Sequence, residues 1–428
     1  MNSSWRVLEG GDIKLDTVQL SKDEYLFIQE FLQDLIVREN IDHSRIGVLL
    51  DDFAAKNRVM LKPVQRDRMV RYIDKFYLGL GYLEDILKMS NIEEIAVIGL
   101  NKPIYVYQDG WKSTNVAISS REYFIDLVNR LAHKSNRRIT LRNPRLNASL
   151  DNYRIHATID PVSECEMTIR ILRKDRLSYL DFIDRSVYPK ELMAYLALIM
   201  LTDSSVIIAG NTGSGKTSFL NSLLSFIPYG DRIVIVEETP EIRVDHPQQV
   251  RLVENTDLGI SFRDLVYDTL RMRSDRTIVG EVRKPDEVKA FIDVVLSGQA
   301  RGTYATFHAH SSRELVSRML SYGVSKSDIE AIDFIIIQKR LLREVDNRLV
   351  ELRRGIEMIY VPENRVLFKL DSGIDHEGII QILKEKLYID QTWIEYKYNR
   401  ILDFISNRRG DFSKLFLEYQ REILGYDI

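Results

Sequence analysis

Apolar residues recur along this chain with two different periods, and the change from one to the other divides it. After Ser21-Lys22-Asp23-Glu24, the residues Tyr25, Phe27, Ile28, Phe31, Leu32, Leu35 and Ile36 follow at helical spacing. A serine with a glutamate three positions later is a capping box, so a capped amphipathic helix is predicted here. A second helix is predicted over 64–77, and Gly79 and Gly81 then break the pattern. Residues 1–80 therefore read as a mostly helical packing region with no chemistry of its own. From Tyr82 the texture becomes α plus β. Short β-branched and aromatic runs at 92–98 and 104–107 predict strands, with Asp109-Gly110 as a turn between strands. An amphipathic helix over 121–133 and strands near 154–159 and 167–172 complete an α+β region spanning 81–173. Residues 174–186 read as a charged linker.

From Pro189 onward strand and helix signals alternate. Strands are predicted at 232–237, 277–280, 303–307 and 332–338. Ser261 is placed to cap a helix running to Arg271, while Pro285 opens and Gly298 closes another. Such alternation over 187–365 predicts a mostly parallel sheet with helices on both faces and ligands at the carboxyl ends of its strands. The signals turn helical again over 366–428, with 388–405 and 412–424 as the helices of a C-terminal extension.

Composition narrows the class. A chain of 428 residues, 45% hydrophobic and 29% charged, exceeds one ordinary domain and has the material for a packed core. Its net charge of -3 supplies no global field for nucleic acid or an acidic membrane. The single cysteine, Cys165, excludes a disulfide framework and any cysteine-based zinc site. No signal-peptide pattern opens the sequence, and its longest apolar run, 192–201, is about half a membrane span. Any membrane connection is thus expected through a partner. One local excess stands out: Arg130, Lys134, Arg137, Arg138, Arg142, Arg145, Arg154, Arg170, Arg173, Lys174 and Arg176 crowd a short interval. Such a cluster is a solvated face, a phosphate site or a nucleic-acid patch, and the lack of interleaved aromatics weighs against the last.

The chemistry centres on one stretch. The run Ile207-Ile208-Ala209 leads into Gly210-Asn211-Thr212-Gly213-Ser214-Gly215-Lys216-Thr217, and a helix-like segment begins at Ser218. Strand, Gly-x-x-x-x-Gly-Lys-Thr and helix in that order are the context a P-loop requires. Its backbone amides and the helix N-terminus cradle phosphates. Lys216 would reach the terminal phosphates of a nucleoside triphosphate, and Thr217 would place its hydroxyl on Mg²⁺. Two later strands end in carboxylates, at Glu237-Glu238 with Glu241 beyond, and at Glu281, while a third ends in His308 and His310. Parallel pairing would bring these ends to the P-loop edge. There Glu238 and Glu281 could hold a Mg²⁺-bound water or polarise the attacking one, and His308 could sense the terminal phosphate. A metal site built on the histidines has no third ligand of matching spacing.

The P-loop, Glu237-Glu238-Thr239-Pro240-Glu241, the run Leu270-Arg271-Met272-Arg273-Ser274-Asp275-Arg276 leading to Gly280-Glu281-Val282-Arg283, and Thr306-Phe307-His308-Ala309 occur in a fixed order. In that order they resemble the type II/type IV secretion ATPases, the motors of type IV pili, archaella, tight-adherence pili and type IV secretion systems. The resemblance covers roughly 82–361. It implies a PAS-like N-domain and a RecA-like α/β ATPase domain, six copies of which form a ring that uses ATP and Mg²⁺. By the same resemblance Gly210 to Thr217 is the Walker A loop, the glutamates 237, 238 and 241 form the acidic box, Glu281 is the Walker B glutamate and His308 the histidine-box residue. Thr168-Ile169-Arg170, with Arg173 after it, looks like the segment whose arginine approaches nucleotide phosphate across a domain or subunit boundary.

Some positions depart from the family pattern. Glu238 stands where Asp is usual, and Asp151-Asn152-Tyr153-Arg154 carries Asn in place of a glycine. A tetracysteine insertion and an Ala-Ile-Arg-Asn-Leu-type retraction motif are both lacking, which points to the archaeal-type or tight-adherence branch. The expectation is a cytoplasmic homohexameric ATPase held at the inner face of a membrane by an integral platform protein. A nucleic-acid translocase on the same RecA-like core, and a slow regulatory nucleotide switch, are the rival readings.

Overall fold

The computed structural model describes residues 4–18, 20–36, 45–108, 110–133, 137–150, 153–171, 176–255, 258–345 and 348–428. They fall into two compact units, residues 1–174 and 175–428. Asp109, Lys134, Asp151, Asn152, Arg173 and Lys174 lie outside the described residues.

The first unit runs β1 (Trp5–Val7), α1 (Lys22–Ile36), α2 (Ile46–Lys56), α3 (Pro63–Ile73), α4 (Tyr82–Leu87), β2 (Glu94–Ile98), β3 (Ile104–Tyr107), β4 (Trp111–Ser113), β5 (Val116–Ile118), α5 (Arg121–Ala132), β6 (Arg145–Leu150), β7 (Tyr153–Thr158) and β8 (Glu166–Ile171). The capping box of α1 closes as the sequence predicts: Ser21 N–H donates to Glu24 Oε2 at 2.8 Å, and Glu24 N–H donates to Ser21 Oγ at 3.2 Å. Six strands form an antiparallel sheet in the order β4-β3-β2-β8-β7-β6. The expected boundary at residue 80 does not appear. β1 pairs with β5, and Trp5 meets the edge of Tyr82 with ring centroids 5.2 Å apart. One apolar core serves both segments.

The second unit runs α6 (Tyr179–Asp184), α7 (Lys190–Ile199), β9 (Ser204–Gly210), α8 (Lys216–Leu223), β10 (Ile233–Glu237), β11 (Gln249–Val253), α9 (Phe262–Asp268), β12 (Arg276–Val282), α10 (Pro285–Ser297), β13 (Gly302–Phe307), α11 (Ser312–Ser321) and α12 (Lys326–Ile329). The strands β14 (Phe334–Val345), β15 (Arg348–Tyr360), β16 (Arg365–Lys369) and β17 (Gly373–Ile374) follow, then the helices α13 (His376–Leu387), α14 (Gln391–Asn407) and α15 (Phe412–Glu422). The sheet has nine strands in the order β11-β10-β12-β13-β9-β14-β15-β16-β17. Pairing is parallel from β11 to β14 and antiparallel from β14 to β17. Strand alternation sends Val206 and Ile208 to one face of β9, and Ile207 and Ala209 to the other. One face is covered by α9 to α12 and the opposite face by α6 to α8 with α13 to α15. This is the doubly covered α/β sheet of a RecA-like ATPase core, with an α+β unit before it.

Two expected segments are corrected. The linker at 174–186 contains α6, whose Tyr179, Leu180 and Phe182 are buried in the core of the second unit. The C-terminal extension is not an appendage either. β16 and β17 extend the sheet, and Ile379, Ile394, Ile401, Leu415 and Tyr419 join the same core as Phe219 and Leu220 of α8. Gln420 is fully buried and caps the chain that leaves α8. It donates to Ile227 O at 2.8 Å and Ser225 O at 3.2 Å, and accepts from Tyr229 N–H at 2.9 Å. At the same, amino end of the strands Arg276 is fully buried, donating to Asp231 Oδ2 at 2.7 Å, Thr202 O at 2.8 Å and Tyr304 Oη at 3.0 Å.

Candidate active site

The phosphate loop starts where β9 runs out. Gly210 pairs with Gln338 of β14, and a Cβ added to it would lie 1.9 Å from the Gln338 carbonyl oxygen. Gly215 caps α8 in a left-handed conformation, φ 90°, that a side chain would strain. Lys216 then opens α8, with Thr217 and Ser218 in its first turn. Asn211 pairs with the backbone of Arg340, accepting from its N–H at 2.9 Å and donating to its carbonyl at 3.1 Å. Lys216 Nζ lies 3.5 Å from Asn211 O and 3.5 Å from His308 Nδ1. A glycine cradle at a helix N-terminus, with a lysine returning over it, fits a polyphosphate. Thr217 would hold the accompanying Mg²⁺, whose charge would screen that of the phosphates. Among the described residues no group of three or more His, Cys, Asp or Glu could hold a metal ion by itself. The fit to Mg²⁺ therefore rests on Thr217 with phosphate and water oxygens.

The neighbouring strands bring the acids and bases to this edge. β10, β12 and β13 are consecutive in the sheet and β13 adjoins β9, so Glu237, Glu281 and His308 emerge on the side of the loop. Between Val279 and Val282 the register of β12 against β13 shifts, and Glu281 lies within that irregularity. His308 Nε2 is 2.5 Å from Glu281 Oε1. Arg283 donates from Nε to Glu281 Oε2 at 2.8 Å, and from Nη1 to Glu238 Oε2 at 3.0 Å. Lys284 Nζ lies 3.7 Å from Glu238 Oε1. Burial by itself would raise the Glu281 carboxyl, but the His308 hydrogen bond and the Arg283 guanidinium outweigh it and hold the pKa at about 2. Glu281 is an anion with both oxygens engaged.

Glu237 has a different environment. Its Oε1 accepts from Glu241 N–H at 2.7 Å and Ile242 N–H at 2.8 Å, and Oε2 lies 3.1 Å from Arg251 Nε. Burial outweighs these partners and pushes its pKa up to about 7. It staples the loop after β10 to the sheet. His310 donates its N–H to Glu314 Oε2 at 2.7 Å at the start of α11. Arg170 is an exposed residue of β8 in the first unit, in register with Glu94 on one side and Arg154 on the other. Arg173 falls outside the described residues. Four residues at this edge carry no motif signal in the sequence: Tyr188, Gln338, Arg340 and Arg353. A single polar residue ending the apolar run Ile335-Ile336-Ile337 was the one available sign of Gln338.

Residues 126–370 match the family described as type II/IV secretion system protein. The uncharacterized protein MJ0781 of Methanocaldococcus jannaschii is 30% identical over 291 residues, which are 63% of this chain and 39% of that protein. The type IV secretion system protein VirB11 of Bartonella quintana is 26% identical over 284 residues, 56% of this chain and 79% of that protein. This chain spans under half the length of two relatives it matches, 39% of MJ0781 and 49% of MJ0900. The crystal structure of the pilus retraction motor PilT with bound ADP has a TM-score of 0.51 at 16% identity, covering 72% of this chain and 91% of that one. That likeness is one of fold. With more than half its length matched by the family, this chain belongs to the type II/IV secretion system proteins.

Proposed function

We propose that the chain is a Mg²⁺-dependent ATPase working as a homohexameric motor for a pilus-like filament or a secretion system. The observation that carries this reading is the continuous set of contacts from Lys216 through His308 and Glu281 to Arg283 and Glu238 at the foot of the phosphate loop. In this reading the loop amides, Lys216 and Thr217 bind the phosphates and Mg²⁺. Glu281, held as a carboxylate at neutral pH, accepts a hydrogen bond from the attacking water and orients it. Glu238 shares Arg283 with Glu281 and adds negative charge beside it. Support for arginine participation comes from β7 and β8. Arg154 and Arg170 stand opposite each other across the strands, with Glu94 opposite Arg170 on its other side, so one carboxylate faces two guanidinium groups and the excess positive charge favours a further anion as neighbour.

Among the described residues no helix is long and apolar enough to cross a membrane. The reading assigns the membrane span to an integral platform protein and this chain to the cytoplasmic side. The test is ATP hydrolysis per subunit, measured with Mg²⁺ over rising protein concentration. A steep rise to saturation supports an active site completed by a neighbouring subunit. A flat, high activity removes the ring, and no hydrolysis removes the ATPase. Stimulation by DNA with a steep salt dependence would replace the motor reading by that of a translocase.

A further inference from the structure

The hairpin β14–β15 runs past the rest of the sheet. β14 pairs with β9 only from Phe334 to Gln338, whereas its pairing with β15 continues as far as Val345 opposite Arg348. Alternation puts Gln338 and Arg340 on one face of this ribbon, and the register sets Arg353 opposite Arg340 and Gly355 opposite Gln338. That face meets the phosphate loop. The Gln338 Nε2 amide donates to the Ser214 carbonyl, and Arg353 Nε donates to the Gly213 carbonyl at 2.9 Å. A carbonyl only accepts, so the Gln338 nitrogen must face Ser214 and its oxygen must face Tyr188, whose hydroxyl donates to it at 3.1 Å. Tyr188 is fixed in turn. It stacks on Phe219 of α8 with ring centroids 4.2 Å apart, and it fills the space over Gly355, where a Cβ would lie 2.0 Å from the ring.

We infer that Gln338 and Arg353 are positioning residues for phosphate binding, holding the Ser214 and Gly213 carbonyls on the ribbon side of the loop. In a trans peptide the C=O and the following N–H point in opposite directions. Turning Ser214 O to Gln338 therefore turns the Gly215 N–H away from the ribbon. A loop whose peptides are fixed beforehand binds an anion without first losing conformational freedom. Gln338 acts from β14 and Arg353 from β15, so the ribbon clasps the loop from two strands. The inference rests on the nucleotide-binding reading of the loop.

The test uses the full chain with Mg²⁺ and a fluorescent ATP analogue for Kd, alongside steady-state ATP hydrolysis and a thermal midpoint for each variant. Gln338→Glu keeps the shape but places an acceptor where a donor faced Ser214 O. Arg353→Ala removes the second donor, and Arg353→Lys restores an N–H for the same carbonyl. The expected result for Gln338→Glu and Arg353→Ala is a Kd and KM raised about fivefold, with kcat little changed. Arg353→Lys recovers part of the loss, and the Arg353 variants keep the native thermal midpoint. Kd and KM unchanged in Arg353→Ala, or a fall confined to kcat, overturns the inference, and this pair decides the matter if Gln338→Glu does not fold. Lys216→Ala separates the two claims. If it binds the analogue as well as the native chain does, or if the native chain binds none, the nucleotide reading fails and the inference falls with it.

Discussion

His308 ties the carboxyl end of β13 to that of β12 by setting its Nε2 2.5 Å from Oε1 of Glu281. Its other nitrogen faces the Lys216 ammonium at 3.5 Å. An ammonium only donates, so Nδ1 accepts and Nε2 carries the hydrogen that the carboxylate receives. The lysine of the phosphate loop and the glutamate two strands away are thereby joined through one ring.

Glu281→Gln should retain nucleotide binding while losing turnover by about a hundredfold or more. Gln keeps the shape but lacks the negative charge that orients a water. Titration with a labelled nucleotide beside steady-state hydrolysis checks both halves, and undiminished turnover removes Glu281 from the mechanism.

Arg283→Gln should move the acid limb of the pH–rate profile to higher pH. Burial works to raise the Glu281 carboxyl, while His308 and Arg283 together bring it to about 2. Removing one opponent of burial lets the value climb. The sign for stability follows from the same numbers. The folded value lies below the ordinary 4.5, so the contribution of Glu281 is full above about pH 4.5 and is lost as pH falls toward 2. A pH–rate profile with an unmoved acid limb would show that Arg283 does not govern this carboxylate.

Glu237→Gln has the opposite sign in a different window. The folded carboxyl titrates at about 7 against an ordinary 4.5, so the native state keeps a proton that the unfolded chain has lost. Raising pH from about 4.5 to 7 therefore costs the native protein stability, on the order of 2 kcal/mol, that the glutamine variant does not lose. Urea midpoints at pH 5 and pH 8 should show the variant gaining on the native chain. A constant difference across that range would place the Glu237 titration elsewhere.

What could be read before the fold was known, and what could not, follows from how far apart the partners lie in the chain. The phosphate loop was legible because its residues are adjacent. Glu281 and His308 were legible because each ends an apolar run, and parallel pairing brings such ends together. The clasp was hidden because Gln338 and Ser214 are 124 positions apart, and nothing near 338 announces that β14 continues into a ribbon. The charges of 174–176 masked the apolar Tyr179, Leu180 and Phe182 that bury α6. The last helices were visible as periodicity, but periodicity names a buried face without naming what covers it.

Asp231→Ala should destabilise the second unit by about 3 kcal/mol. Arg276 has no exposed surface, and its guanidinium Nε depends on Asp231 Oδ2 at 2.7 Å. Without Asp231 a buried cation loses its counter-charge. The residues lie at the amino ends of the strands, so chemical denaturation should register the loss while nucleotide affinity at 25 °C stays near native. A midpoint shift within error would mean that Tyr304 and the Thr202 carbonyl suffice to hold Arg276.

The packing of α15 against the turn that follows α8 also sets an order of events in synthesis. Phe226 in that turn meets the edge of Tyr419 with ring centroids 5.0 Å apart, and Gln420 satisfies the carbonyls of Ser225 and Ile227. The phosphate loop leaves the ribosome long before those partners do. Until α15 has followed, Phe226 and the carbonyls of Ser225 and Ile227 lack these partners, so the segment leaving the nucleotide cradle reaches its final stability only after α15 has been made. The first unit contains its own core and is free to close earlier, which leaves the nascent chain half folded and half waiting until α15 is made.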